Sequence, residues 1–294
     1  MQEQVGMAAL EHMHLTTNGV MLHAVAAGPS DGPLVILLHG FPEFWYGWRR
    51  QIEPLAAAGF RVLVPDQRGY NLSSKPEGLR AYTLDVLADD VLGLASSLGR
   101  STFSVVGHDW GGVLAWHLAS RNPDQIERAV ILNGPHLGVM RNFTLSHPGQ
   151  MLKSWYVGFF QVPWLPERVL SASDFVSLRR ALTGTSQPGA FNSDDLERYR
   201  EAWAQPGALT AMLNWYRALP VQTPTRRAER VRVPVRVIWG DRDTALEPGL
   251  AEASVALCER GEVFHLPDAT HWVQHDSPDE VNRLIVEFLS GTRS

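Results

Sequence analysis

The sequence predicts an α/β fold: a mostly parallel central sheet flanked by helices, with a helical segment inserted after the sixth strand. Three observations predict it. Short β-branched apolar runs alternate with longer stretches at helical spacing. The runs are apolar almost throughout, as strands covered on both faces must be. The alternation lapses between residues 138 and 224 and then resumes.

Taken in order, residues 12–27 alternate polar and apolar side chains around Asn18-Gly19, the strongest short hairpin signal. Strands follow at 34–38, 61–66, 103–107 and 129–133, and a later pair at 235–240 and 262–266. Helical spacing occupies roughly 44–58, 83–99, 111–121 and 278–290. Residues 138–224, rich in Trp, Tyr, Phe, Arg and Pro, read as short helices and loops, and strand character returns at Val231. The division expected is a core of 1–137 and 225–294 with a helical cap, 138–224, over the carboxyl edge of the sheet. Open α/β sheets bind their ligands at that edge.

The 294 residues are 45% hydrophobic and 19% charged, with a formal net charge of −5. No long basic run invites nucleic acid or an anionic membrane, so the partner expected is a small molecule, and the chain a monomer or homodimer. The first fourteen residues lack the basic start and apolar centre of a secretory signal. No apolar stretch approaches the ~20 residues of a membrane span. The single cysteine, Cys258, can form no internal disulfide, and the cytoplasm follows by elimination. Cys258 has no neighbouring histidine and reads as packing.

Val105-Val106-Gly107-His108-Asp109-Trp110-Gly111-Gly112 joins a strand directly to a helix. It has the form of a G-x-S-x-G nucleophile elbow with aspartate in the serine position. A nucleophile on so sharp a turn needs neighbours without bulk, and the helix it starts directs amides toward negative charge. Alone, the motif fits equally a strand-turn-helix junction capped by Asp109. Three further segments accompany it in order: His39-Gly40-Phe41-Pro42-Glu43, Leu213-Asn214-Trp215-Tyr216-Arg217 and Thr270-His271-Trp272. Together they resemble the epoxide hydrolases of the α/β-hydrolase fold, over residues 15 to 290.

A carboxylate attacking an acyl carbon would form an anhydride, a poor route. At saturated carbon it opens an epoxide or displaces a halide and leaves an ordinary alkyl ester. A base must then activate water, and His271, after the last strand, follows the nucleophile and acid in the chain order of this fold. Asp241 and Asp243 both follow the strand at 235–240, and the resemblance assigns the orienting acid to Asp243. It also implies an oxyanion hole from the Phe41 and Trp110 amides, a cis bond before Pro42, and two tyrosines that protonate the leaving oxygen. Tyr216 matches one of them and Tyr156 the other. His39 reads as a structural hydrogen-bonder.

The substrate implied is a small apolar epoxide, bound by Phe41, Trp110, Tyr156 and Tyr216, with no metal or organic cofactor. A haloalkane dehalogenase would share Asp109 and Trp110, yet Phe41 stands where those enzymes often carry Asn. A non-catalytic binder on the same fold would not require the full set of Asp109, Asp243, His271 and two tyrosines. Two departures from the family pattern are Asn71, where glycine is common, and Thr270 before the histidine.

Overall fold

The computed structural model describes residues 10–222 and 230–291. The N-terminal stretch up to Ala9 and the expected return to the core near 224 lie outside the described residues. The chain runs β1 (Glu11–Thr17), β2 (Val20–Ala27), β3 (Leu34–Leu38), α1 (Ile52–Ala57), β4 (Arg61–Pro65), α2 (Leu84–Ser97), β5 (Phe103–His108), α3 (Trp110–Arg121) and β6 (Ile126–Leu132). Six helices follow: α4 (Leu137–Ser146), α5 (Pro148–Lys153), α6 (Trp155–Phe160), α7 (Leu165–Thr185), α8 (Ser193–Trp203) and α9 (Ala208–Arg217). The chain then returns through β7 (Val235–Gly240), α10 (Gly249–Val255), β8 (Gly261–Leu266), α11 (Val273–Asp276) and α12 (Pro278–Ser290).

The described strands form one eight-stranded sheet in the order β1-β2-β4-β3-β5-β6-β7-β8. β2 runs antiparallel to β1 and β4, and every pairing from β4 to β8 is parallel. Asn18 and Gly19 turn the first hairpin with positive φ of 47° and 74°, as the dipeptide predicts. In β3 the alternation divides two cores: Ile36 and Leu38 join the cluster on one face, Val35 and Leu37 that on the other. All four are fully buried, which is why this strand reads as a continuous apolar run.

Two boundaries differ from expectation. The helix expected over 44–58 is a 3-10 turn at Trp45–Trp48 followed by α1. The Trp45 amide is committed to Asp66 Oδ1 at 3.0 Å, and Pro54, tolerated in the first turn of α1, would lack the amide that a longer helix needs for the Arg50 carbonyl. β6 starts three residues early because Phe103 of β5 pairs with Ile126 across a register shift. α7 breaks at Ala172–Phe175, where Ser173, Asp174 and Phe175 hold left-handed conformations. Asn71 has a φ of 38°, which asparagine tolerates better than most residues.

Candidate active site

The loops after β3, β5, β6, β7 and β8 all leave the carboxyl edge of the parallel strands, so residues distant in sequence meet there. Asp109 occupies the turn from β5 into α3 with φ 50° and ψ −118°. For a residue with a Cβ this costs on the order of 1–3 kcal/mol, held in place by its surroundings. A Cβ at Gly107 would run into the Gly111 carbonyl, and one at Gly111 into the Leu38 carbonyl, so both must be glycine. The Asp109 amide donates to the Leu132 carbonyl at 3.1 Å, and its own carbonyl accepts from the Val113 amide at 2.9 Å.

The Phe41 amide donates to Asp109 Oδ1 at 2.8 Å, from a loop with a cis Phe41–Pro42 bond. The Trp110 amide, at the first position of α3, makes no hydrogen bond to this carboxylate among the described residues. His271 Nε2 lies 3.8 Å from Asp109 Oδ2, and His271 Nδ1 donates to Asp243 Oδ2 at 2.7 Å. Asp241 is engaged elsewhere, 2.5 Å from His265 Nδ1. Asp243 is fully supplied: Oδ1 accepts the Ala245 and Leu246 amides at 2.7 and 2.9 Å, and Oδ2 accepts Asn133 Nδ2 at 2.8 Å. Burial alone would raise its pKa, but the His271 charge and these bonds hold it below the usual carboxylate value. Thr270 caps the loop by donating from its amide to Asp276 Oδ2 at 2.8 Å.

Burial disfavours a charged His271, yet the neighbouring Asp243, Asp109 and Glu43 charges outweigh it and raise its pKa to about 9. The folded value exceeds that of a free imidazole near ~6.5, so this pairing contributes stability that is complete below that pH and lost as pH rises through about 9. The loss is about 3 kcal/mol. Thermal unfolding followed from acid to alkaline pH should show Tm falling across that window, and a flatter profile for His271→Gln. Parallel profiles would assign the slope to another group.

Tyr216 of α9 is 5% exposed, and Tyr156 of α6 is partly buried. Their ring centroids are 6.0 Å apart, nearly perpendicular. The Tyr216 ring also meets Trp110 at 5.0 Å, Phe160 at 5.0 Å and Phe41 at 5.4 Å, bringing the helical insertion against the elbow and the Phe41 loop. Burial first, and then the charge of Asp109, raise both phenols above the usual tyrosine value, so both keep their protons at neutral pH.

Several residues at this edge escaped the sequence reading. Asn133, with a φ of 37°, ties β6 to β7 by accepting the Gly240 amide at 2.8 Å while it donates to Asp243. Glu43, 1% exposed, receives His275 Nε2 at 2.7 Å, Tyr199 OH at 2.6 Å, Gln274 Nε2 at 3.0 Å and His108 Nδ1 at 3.1 Å. His108 Nε2 in turn donates to the His271 carbonyl at 2.8 Å. Burial opposes the Glu43 charge, but His275 and His108 hold its pKa well below the ordinary value. A carboxylate inside the apolar His39–Glu43 motif was the available signal. His39 hydrogen-bonds structurally: Nδ1 donates to the Gly40 carbonyl and Nε2 accepts the Gln67 amide. Cys258 lies past α10, its thiol pushed up to about 12 by burial. Among the described residues no three His, Cys, Asp or Glu side chains converge as a metal site, and no helix is long and apolar enough to cross a membrane.

An elbow carboxylate with a histidine–acid pair across the edge of an eight-stranded sheet defines an α/β-hydrolase arrangement. The family profile described as alpha/beta hydrolase fold matches residues 33–278, and the chain belongs to that family. Within it, the chain is 49% identical over 275 residues to the AB hydrolase superfamily protein YfhM of Bacillus subtilis (strain 168), covering 94% of this chain and 96% of that protein. It is 38% identical over 284 residues to epoxide hydrolase 4 of Homo sapiens, covering 95% of this chain and 78% of the relative. Among solved structures, an epoxide hydrolase from Bacillus megaterium in complex with an inhibitor superposes with a TM-score of 0.87 at 32% identity, over 95% of this chain and all of that one.

Proposed function

We propose that the chain converts an epoxide to a vicinal diol through an alkyl ester on Asp109, with residues 138–224 acting as a cap over a core of 1–137 and 225–294. One observation carries this reading: a carboxylate at the elbow faces an insertion that contributes two protonated phenols, Tyr156 and Tyr216. A halide departs without a proton, whereas an alkoxide needs a donor.

In the first step Asp109 Oδ2, the oxygen not bound by Phe41, attacks an oxirane carbon. The carbon–oxygen bond breaks, and its electron pair takes a proton from Tyr156 or Tyr216. The phenolate left behind is more basic than His271 and recovers its proton from the imidazolium. Asp109, now an uncharged ester, no longer raises the His271 pKa, so the neutral base persists. In the second step His271 Nε2 takes a proton from water as the oxygen attacks Asp109 Cγ. The Phe41 amide, joined by that of Trp110 as charge develops on Oδ1, stabilises the tetrahedral intermediate. Asp243 holds the imidazole orientation throughout. The Cγ–Oδ2 bond then breaks, and the diol leaves with the proton from His271. The chemistry asks for no metal or organic cofactor, and Phe41, Trp110 and Phe160 suit an apolar substrate.

Tyr156→Phe and Tyr216→Phe should each slow ester formation about 10²-fold, and the double variant well beyond either. Stopped-flow tryptophan fluorescence reads that step directly. A double variant forming ester at the parent rate would sink the assignment of both tyrosines. Diol formation assayed beside halide release from a bromoalkane separates the two alkyl-ester chemistries, and halide without diol would favour the dehalogenase.

A further inference from the structure

α5 buries its polar residue and exposes its apolar ones. Met151 and Leu152 are 54% and 76% exposed, while Gln150 is the one buried side chain of the helix, with no exposed surface. An amide taken out of water costs stability unless its polar atoms are paired. Here they are paired. Gln150 Nε2 donates to the Ala245 carbonyl at 2.9 Å and to Ser154 Oγ at 3.0 Å, and Oε1 accepts the Glu247 amide at 2.8 Å. The partners fix which end is which, because a backbone carbonyl can only accept and a backbone amide only donate. Gly149, the preceding residue, leaves room for the Glu247 carboxylate. Lys153, three residues on, donates to the Asp243 carbonyl at 3.1 Å.

These contacts grip the loop that carries Asp243. The Ala245 carbonyl and the Leu246 amide are the two ends of one planar peptide group. Gln150 holds the first end, and the second donates to Asp243 Oδ1 at 2.9 Å. Rotation of that peptide would take one of the two amides off Oδ1 and loosen the carboxylate whose Oδ2 meets His271 Nδ1 at 2.7 Å. Gln150 also holds the junction of α5 with α6. Its backbone carbonyl accepts the Ser154 amide at 3.0 Å, its side chain donates to Ser154 Oγ, and Tyr156 stands two residues further along.

We propose that Gln150 is a positioning residue for both half-reactions, its one side-chain amide setting Asp243 against His271 and holding the start of the helix that carries Tyr156. Its part in catalysis rests on the epoxide reading of the site. Apolar contacts would suffice to fasten the insertion to the core. A glutamine instead holds a carbonyl, an amide and a hydroxyl at once, each in a fixed direction. Lys153 supports the same loop at the Asp243 carbonyl.

The test uses the full chain. Stopped-flow tryptophan fluorescence reads the rates of ester formation and ester hydrolysis, steady-state assay gives KM, and proton NMR follows the downfield resonance of His271 Nδ1–H. Gln150→Met keeps the length of the side chain and removes the amide. It should slow both steps between about 10- and 10²-fold, change KM far less, and shift or broaden the His271 resonance. Ser154→Ala and Lys153→Met divide the two arms. The first should slow ester formation alone about fivefold, and the second hydrolysis alone about fivefold, with Lys153→Arg restoring the rate. If Gln150→Met misfolds by circular dichroism, these two variants carry the test, and parent rates in both overturn the proposal. A folded Gln150→Met with parent rates and resonance also overturns it. So does one whose Tm falls while each folded molecule, counted by ester stoichiometry, turns over at the parent rate, which would leave Gln150 as a fastening alone. Slowing of hydrolysis without ester formation would confine Gln150 to Asp243 and likewise overturn it. The resonance is read without substrate, so a parent chain that makes no diol sinks the epoxide reading and leaves the resonance to decide this one.

Discussion

Asp109→Ala should reduce diol formation by at least about 10⁴-fold, with no ester detectable, while the chain stays folded. Removal of a nucleophile from a catalytic group acting as a unit abolishes nearly all of that unit's contribution. Here the loss has a definite route. In the proposed route Asp109 Oδ2 forms the bond to carbon, Oδ1 is preorganised by the Phe41 amide, and the α3 N-terminus favours negative charge where the carboxylate sits. Alanine removes the carboxylate on which all three depend, while the backbone with its φ of 50° is common to both chains, so the loss is one of chemistry. The complementary measurement is a single turnover of the parent enzyme in ¹⁸O-water. Label should enter the Asp109 carboxylate, because the diol departs with the original Oδ2 and water supplies its replacement. Label appearing in the diol alone would mean direct water attack, and the ester route would fall.

His271→Gln is expected to separate the two half-reactions. In the proposed mechanism ester formation requires Asp109 and the tyrosines, whereas its hydrolysis requires the base. The variant should therefore trap a stoichiometric alkyl adduct, seen as a mass increase on the Asp109 peptide, with kcat lowered by at least about 10³-fold. The pH dependence follows from the geometry. In the resting site Asp243 and Asp109 raise His271 to about 9, so it is charged at neutral pH. In the ester only Asp243 and the more distant Glu43 remain as negative neighbours, which lowers the pKa and frees the base. Where hydrolysis limits turnover, kcat should rise with pH and level off below about 9. A variant that turns over without accumulating adduct would show that water is activated by another group.

Much of the fold is legible in the local pattern. Residues 34–38 are apolar throughout because they are covered on both faces, and Asn18-Gly19 turns the first hairpin because both residues accept positive φ. Boundaries were less legible wherever a tertiary partner sets them, as Asp66 does for the Trp45 amide and Phe103 for Ile126. The choice between Asp241 and Asp243 shows the same division in the site. Both lie in the right loop, two residues apart, and the difference appears only in space. Asp241 meets His265, while Asp243 meets His271, Asn133 and two backbone amides.

By itself the sequence determined the order of strands and helices, the carboxylate at the elbow, the chain order of the site residues and the family they resemble. These are properties of local spacing and residue type. The tertiary structure alone decided that Glu43 gathers His108, His275, Gln274 and Tyr199 into one buried network. It likewise decided that Asn133 steadies Asp243, and that Trp155 and Trp164 face solvent while the Tyr156 and Tyr216 rings meet each other. The physical reason is that burial and electrostatic coupling depend on distances across the sheet edge, between residues as far apart as Glu43 and His275. Neither periodicity nor composition encodes those distances.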